Sequence, residues 1–288
     1  MVAVAGCSHS AAPSPGPTPS TAGPTDHGGA TRGKTDWIIS SAAIGLLRTG
    51  GLSNRDIDEL FDNPQTFVIE TGSARAGTTL PRAVPVETVT SYVALKKILT
   101  SGTLPPGTKG ILFDEEDWPF TPSGEIDHPI RYAARAEALA HRYGLTFIFT
   151  PGTDLVDAAA GSPLRTDPFQ RYLTLGLASQ GARVSDVFEI QAQQAEATPD
   201  FLPFAATATA QARAANPDAR VLLGMGTEPG GRPVTIRDLL ADYRMTRPLV
   251  DGYWFNIPQA GPTCPACGTG QPVVAVHFFR YLVALMHR

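Results

Sequence analysis

The stretch of sequence that decides the fold is Lys109-Gly110-Ile111-Leu112-Phe113-Asp114-Glu115-Glu116-Asp117-Trp118-Pro119. It starts as an apolar run of strand length and then places four acidic residues in a row. Four adjacent carboxylates repel one another and have poor strand propensity, which favours a position directly after a buried strand. In α/β proteins, functional sites are built at that end of a strand. The alternative is a solvated acidic turn that caps the next helix.

The two faces of this stretch are predicted by strand alternation, because successive side chains of a strand point to opposite sides. One face carries Leu112, Asp114, Glu116 and Trp118, and the other carries Ile111, Phe113, Glu115 and Asp117. The alternation therefore predicts that Asp114 and Glu116 continue the face on which Leu112 lies.

Outward from this strand, short apolar runs alternate with segments of helical periodicity from residue 35 onward. Strands are predicted at residues 66–71, 110–116, 145–150, 185–193, 220–226 and 252–257, with a strand or a helix start at 37–44. Helices are predicted at residues 52–61, 86–99, 129–143, 168–180, 200–216, 236–244 and 272–287, with Gly144 and Gly181 ending two of them. This order favours an α/β fold, a TIM-type (β/α)8 barrel with one irregular or missing unit. The alternative is a doubly wound open sheet, although no GxGxxG fingerprint follows the first strand.

Composition limits the partners. The 288 residues are 42% hydrophobic and 17% charged, with a net charge of −4, which suits one globular domain placed at residues 34–288. Lys and Arg do not cluster, so we expect no nucleic-acid partner and no membrane binding by charge. No apolar run approaches the ~20 residues of a membrane span.

The first 33 residues indicate the location of the protein. Val4-Ala5-Gly6-Cys7 resembles a bacterial lipobox, in which the Cys is lipidated, although only six residues precede it. A flexible tether rich in Pro, Ser, Gly and Thr follows at residues 8–33. We expect an extracellular or cell-surface lipoprotein that meets the membrane only through a lipid anchor on Cys7. The alternatives are a chance match and a disordered cytosolic tail.

The remaining cysteines, Cys264 and Cys267, form one CxxC motif. In an exported protein this motif indicates a small-loop disulfide. The motif is half of a zinc site without a second half, and the six His form no metal or triad pattern, so we expect no metal and no cofactor. The acids at residues 114–117 lack the spacing of an EF-hand loop.

Polar side chains follow nearly every predicted strand, and the carboxyl ends of barrel strands meet at one mouth. The candidates are Glu70, Asp114, Glu116, Asp117, Asp154, Glu189, Gln191, Gln193, Glu228 and Asn256. On residues 186–193, alternation places Val187, Glu189, Gln191 and Gln193 toward the barrel interior. Buried polar groups need partners, and sugar hydroxyls or an internal water network would both supply them.

Aromatic residues accompany these acids. Trp118 follows the acidic run, and we expect it at the mouth. Tyr253, Trp254 and Phe255 lie on the last strand, where Trp254 and Phe255 serve either as sugar platforms or as ordinary core. Carboxylates, amides and aromatic faces together favour hydrolysis of a glycosidic bond, which needs one protonated and one ionised carboxyl. The residues alone leave open which of these acids takes which role.

The segment ending in Phe113-Asp114-Glu115-Glu116 resembles the strand ends of barrel glycosidases, including the chitinase-like group with its DxxDxDxE motif. Asp114 and Glu116 match the last two acidic positions, whereas Lys109 and Leu112 replace the earlier aspartates. The resemblance implies that Glu116 is the general acid and that Asp114 assists the substrate's acetamido group. It also implies that Gln191 and Tyr253 position the substrate.

A second glycosidase group places its acid and its nucleophile after the fourth and seventh strands. By our count these positions fall near residues 150–154 and Asn256, which supply no pair of glutamates. Residues 114–122 and 144–155 also resemble uncharacterised exported bacterial barrel proteins. The first hypothesis is therefore an exported glycoside hydrolase acting on a carbohydrate, with Glu116 as the acid and Glu189 or Glu228 as the second carboxylate. The alternatives are a non-catalytic barrel that binds a glycan or other ligand, and an enzyme acting on a specialised small molecule.

Overall fold

The computed structural model describes residues 35–70, 80–156, 167–261 and 264–288. The lipobox-like start, with Cys7, and the tether at residues 8–33 lie outside the described residues. The described chain closes eight parallel strands into one barrel in sequence order, with the first strand paired to the last. This is a TIM-type (β/α)8 barrel, so the predicted fold is confirmed and the open sheet is not.

The strands are short and, apart from β3, almost entirely buried. They are β1 (Asp36–Ser40), β2 (Thr66–Ile69), β3 (Val84–Val89), β4 (Gly110–Phe113), β5 (Thr146–Phe149), β6 (Val187–Ile190), β7 (Arg220–Gly226) and β8 (Gly252–Asn256). Strand β4 pairs with β3 through Val89 and Phe113, and with β5 through Phe113 and Phe149. The acids therefore begin where β4 ends, as predicted.

Helices cover the outside of the barrel between the strands. They are α1 (Ser41–Thr49), α2 (Asn54–Phe61), α3 (Tyr92–Ser101), α4 (Ser123–Ile126), α5 (Pro129–Arg142), α6 (Pro168–Thr174), α7 (Leu177–Ala182), α8 (Phe201–Ala215), α9 (Ile236–Thr246) and α10 (Pro272–Met286). Within the described ranges, none of them is both long enough and apolar enough to cross a membrane.

Strand alternation divides the core into two layers. The interior of the barrel is filled by one or two residues from each strand: Ile38, Phe67, Ile69, Val86, Leu112, Ile148, Val187, Leu222 and Trp254. The opposite faces of the strands pack against the helices in a larger cluster that includes Phe113, Phe188 and Ile190. The predicted faces of β4 and β6 are therefore confirmed.

Of the eight strands, β3 is the one that the sequence analysis did not predict. Residues 86–99 were predicted as one helix, but Val84–Val89 is a strand and α3 begins only at Tyr92. The periodic apolar residues from Leu95 onward suit a helix, and the β-branched residues before Ser91 suit a strand. Ser91 marks the boundary because its side chain accepts a hydrogen bond from the amide of Ala94 and caps the helix.

Two glycines near residue 180 act differently from the prediction. The segment expected as one helix at residues 168–180 is interrupted at Gly176, whose φ of +66° is left-handed. Gly181 lies inside α7 instead of ending a helix, and a Cβ there would lie 2.4 Å from the ring of Phe188. Gly144 follows α5 with a φ of +69°, so its predicted place after the helix end is confirmed.

Glu115 follows β4, on the side that alternation turns away from the barrel interior, and it is fully buried. Neither carboxyl oxygen has a hydrogen-bond partner among the described residues. Burial, with the nearby charge of Glu125, raises the pKa of Glu115 to about 9. Glu125 itself accepts the backbone N–H groups of Tyr92 and Val93 at the start of α3. Glu115 is therefore a buried neutral acid beside a helix-capping carboxylate.

This arrangement predicts that the protein loses stability as the pH rises. An exposed Glu loses its proton near its ordinary value of 4.5, whereas folded Glu115 keeps it to about pH 9, so the folded state binds the extra proton between these values. Glu115→Gln should raise the free energy of unfolding at neutral pH by on the order of 3 kcal/mol and flatten its fall between pH 5 and 9.

Urea unfolding measured across this pH range tests the prediction. The partly exposed Glu137 on α5 provides the matched control, because Glu137→Gln should change the pH dependence much less. A Glu115→Gln protein with the wild-type slope would contradict the assignment.

Candidate functional site

A cavity of about 570 Å³ opens at the carboxyl ends of the strands. Seven of the residues predicted for the site line it: Asp114, Glu116, Trp118, Asp154, Gln191, Gln193 and Asn256. They follow the ends of four strands, β4, β5, β6 and β8. The barrel therefore brings together most of the polar residues that the sequence placed at strand ends.

Gln191 connects the two acids that follow β4. Its side-chain Nε2 donates to Asp114 Oδ1 and to Glu116 Oε1, each at 3.1 Å, and to the backbone oxygen of Thr150 at 3.0 Å. Because both carboxyl oxygens contact one nitrogen, they lie no further apart than twice that distance. Thr150 also donates its hydroxyl to Asp114 Oδ1 at 3.1 Å. Gln191 therefore links Asp114 and Glu116 by hydrogen bonds at the mouth.

Asp154 lies beside Glu116 because the intervening residue, Gly152, has no side chain. A Cβ on Gly152 would lie 2.3 Å from Asp154 Oδ1 and 2.9 Å from Glu116 Cγ. The backbone N–H of Gly152 donates to the carbonyl of Glu115 at 2.8 Å, which fixes the loop after β5 against the end of β4. A glycine is therefore needed for this approach of two acidic side chains.

The three carboxyls differ in how their environments set their pKa values. Burial, then the charge of Asp154, raises the pKa of Glu116 to about 7, and the bond from Gln191 opposes this. Burial, then Glu116, raises the pKa of Asp114 well above its usual range. Burial also raises the pKa of Asp154, but nearby backbone amides of Asp117 and Leu155 oppose this rise. Crowded carboxyls without basic partners are expected to hold protons in this way.

Glu189 lies below the floor of the cavity and does not line it. It is fully buried, and neither of its oxygens has a hydrogen-bond partner among the described residues. Burial, followed by Asp114 and Glu116, raises its pKa well above the usual range. Gly224 makes room for it, since a Cβ there would lie 2.6 Å from Glu189 Oε1 and 2.1 Å from Gln193 Oε1.

Glu228, the other predicted second carboxylate, is used by the backbone. Its two oxygens accept the N–H groups of Gly268 at 3.2 Å and Gly270 at 2.9 Å. Glu228 is buried and is not part of the cavity lining. It therefore holds the loop before α10 in place, and its expected place in a carboxyl pair with Glu116 must be corrected.

Two further predicted residues face away from the mouth. Glu70 lies with Val68 and Lys109 at a separate cavity of about 340 Å³, on the outer side of β2. Tyr253 is fully buried against the helices, and its hydroxyl lies 3.1 Å from Thr246 Oγ1. Their expected contacts with a substrate at the mouth must be corrected, because alternation turns both side chains outward.

Asp117 and Trp118 end the acidic run differently. The Asp117 side chain is exposed and is not part of the cavity lining. Trp118 lines the cavity, and its Nε1 donates to Thr121 Oγ1 at 2.9 Å. The structure therefore agrees with the expected place of Trp118 at the mouth.

The sequence analysis left Trp254 open between a sugar platform and ordinary core, and it did not place the loop of Cys264 and Cys267 at the cavity. Trp254 lies inside the barrel and reaches the cavity, whereas Phe255 packs outward. Strand alternation on β8 could have identified Trp254, since residues two positions apart share a face and Trp254 precedes Asn256 by two. The loop that contains Cys264 and Cys267 forms another wall, and the two residues lie at disulfide-bonding distance. No sequence signal placed that loop at the mouth.

Comparisons with known proteins give no family. No protein-family model matches the chain, and no curated protein matches it by sequence. Similar solved structures include the YdjI aldolase from Escherichia coli K12, at 10% identity over 88% of this chain and 90% of that one, with a TM-score of 0.45. The spore cortex-lytic enzyme SleL from Bacillus megaterium QM B1551 is 8% identical over 85% of this chain and 74% of that one, with a TM-score of 0.47. The PgaB (BpsB) glycoside hydrolase domain from Bordetella bronchiseptica is 11% identical over 81% of this chain and 97% of that one, with a TM-score of 0.44. Such distant similarity carries no argument about activity.

The Glu116 environment predicts a measurable coupling to Asp154. Asp154→Asn removes the charge that acts most strongly on Glu116, so the Glu116 pKa should fall below about 7 yet stay above its ordinary value of 4.5, because burial remains the larger cause. Titration of carboxyl carbons by ¹³C NMR measures this pKa. The exposed Asp218 offers a control, since Asp218→Asn should leave the value unchanged. An unaltered Glu116 titration in Asp154→Asn would refute the coupling.

Proposed function

We propose that this barrel is a glycoside hydrolase in which Glu116 is the general acid. The observation that carries the proposal is the environment of Glu116 in an open cavity at the barrel mouth. Its pKa of about 7 keeps much of it protonated at neutral pH, and two other carboxyls lie beside it. Glycosidases need such a raised acid next to a second carboxylate.

Asp154 is the better partner for Glu116. It lines the same cavity, and backbone amides oppose the rise of its pKa, so it ionises more readily than the more deeply buried Asp114. The acid of Glu116 donates its proton to the glycosidic oxygen as the bond from that oxygen to the anomeric carbon breaks. The carboxylate of Asp154 either accepts a proton from the attacking water or bonds to the anomeric carbon.

The corrected strand count bears on the resemblance to glycosidases. With β3 included, Asp114 and Glu116 follow the fourth strand and Glu228 follows the seventh, which are the acid and nucleophile positions of the second glycosidase group. The bonds from Glu228 to Gly268 and Gly270 oppose a nucleophile there. The proposal therefore follows the chitinase-like resemblance, in which Glu116 is the acid and Asp114 is its neighbour.

A non-catalytic ligand-binding barrel is the second candidate. It is favoured by the positions of Glu189 and Glu228, because neither acid predicted to complete the pair lines the cavity. The mouth would then bind a carbohydrate or other small molecule through Gln191, Gln193 and Asn256, without turnover.

We also propose export with a lipid anchor at Cys7. The support remains the lipobox-like start and the tether composition of residues 8–33. A disulfide between Cys264 and Cys267 would suit an oxidising compartment outside the cytosol. On this proposal the loop that forms one wall of the mouth is cross-linked in the exported protein.

Glu116→Gln should remove most turnover while leaving the fold intact. A glycan panel, assayed by release of reducing ends, identifies the substrate. On that substrate kcat should fall by roughly 10²–10⁴-fold, the usual contribution of a general acid. In the wild type, turnover should decline as the pH rises through about 7, because Glu116 loses its proton there.

Glu115→Gln provides the matched control for this experiment. It is the same substitution one residue earlier, on the opposite face of the strand and away from the cavity, so its turnover should equal that of the wild type. Full activity in Glu116→Gln would overturn the assignment of the acid. Saturable glycan binding without any product would favour the second candidate.

A further inference from the structure

The cavity concentrates acidic groups without basic ones. Asp114, Glu116 and Asp154 line it, and Glu189 lies directly beneath its floor. Among the described residues that line it, none is Lys, Arg or His. The nearby Arg232 contacts the backbone oxygen of Gln194 at 3.2 Å from outside the lining. Acids that share a concave site without basic partners favour a positively charged ligand, because such a ligand stabilises their ionised forms.

A second observation is independent of charge. Asp154 Oδ1, Gln193 Oε1 and both oxygens of Glu189 are buried atoms that accept no hydrogen bond from the described residues. Glu189 is fully buried, and its Oε1 and Gln193 Oε1 approach the same point above Gly224. Buried polar atoms normally have hydrogen-bond partners, so these oxygens leave hydrogen-bonding capacity unused at this part of the mouth.

A protonated amine meets both conditions. An ammonium group carries three donors, no acceptor and a positive charge, and hydrogen bonds from it to carboxylates are stronger than those between neutral groups. A sugar hydroxyl supplies a donor without the charge, and a carboxylate-bearing sugar would be repelled. No group of three or more acidic, Cys or His side chains in the described ranges is arranged for a metal ion.

We propose that the mouth binds a sugar that bears a free, protonated amine, through the unpartnered oxygens of Asp154 and Gln193, which line the cavity above the buried carboxyl of Glu189. The inference rests on the proposed function for its glycan class and goes further by choosing the amino sugar over its acetylated and neutral counterparts. An ammonium group would supply the positive charge that the lining lacks, and it would favour the ionised forms of the surrounding acids. Binding should therefore release protons.

Matched monosaccharides test the proposal on the wild-type protein. Glucosamine and galactosamine are compared with their N-acetyl forms and with glucose and galactose by isothermal titration, at about pH 6, where an amine of the α-amino type is charged. At least one amine should bind tenfold or more tightly than its acetylated and neutral counterparts. Its binding heat should differ between buffers of different ionisation enthalpy, because protons are released.

Variants separate this site from surface charge. Asp154→Asn should remove the preference for the amine, and Asp218→Asn, an exposed change of the same kind, should retain it. Circular dichroism confirms that both are folded. Equal binding of amine and acetyl forms, tighter binding of the acetyl forms, or no binding of any amine at millimolar concentration would each overturn the proposal. Calcium chloride that binds in the wild type, is lost in Asp154→Asn and displaces the amine would overturn it as well.

The glycan panel distinguishes the two proposals. A preference for amines with no turnover of any glycan would retire the hydrolase and keep the amine site. Turnover of neutral or acetylated glycans, with no amine preference in binding or rate, would retire the amine site and keep the hydrolase.

Discussion

Closure of eight parallel strands forces alternate side chains into one narrow interior, and the site depends on that constraint. On β4 the alternation places Leu112 inside the barrel and then carries Asp114 and Glu116 to the mouth. On β6 it places Val187 inside, Glu189 under the floor and Gln191 at the mouth. Because the strands converge, the amide of Gln191 comes within 3.1 Å of both Asp114 and Glu116.

The electrostatic consequence is a site whose acids are controlled by burial. Glu116, Asp114 and Glu189 all have raised pKa values with burial as the first cause. Burying polar groups without partners is unfavourable for folding, and local departures from good packing rules are expected at functional positions. Glu115 shows that a buried acid has a raised pKa without being part of the site, since it does not line the cavity. Glu116 differs from Glu115 because its carboxyl lines an open cavity that a ligand can enter.

How far the sequence predicts the site depends on the neighbours of each residue. Around Glu189, polar and apolar residues alternate, so its inward direction was predicted correctly. Glu70 and Tyr253 follow or lie within runs in which both faces are apolar, and alternation could not tell which face was inside. For β3, apolar residues satisfied a helical period as well as a strand period until Ser91 capped α3. The hydrophobic pattern cannot assign a segment when helical and strand periods both fit it, or when both faces of a strand are apolar.

The sequence by itself determined the fold class, the strand end that carries the acids, and the face shared by Asp114 and Glu116. These follow from alternation and local order along one chain. Only the tertiary structure decided which acid accompanies Glu116. Asp154 reaches it because Gly152 has no Cβ, whereas Glu228 turns to the amides of Gly268 and Gly270. The physical reason is that proximity between loops depends on their folded paths and on side-chain volume, which a periodic pattern does not encode.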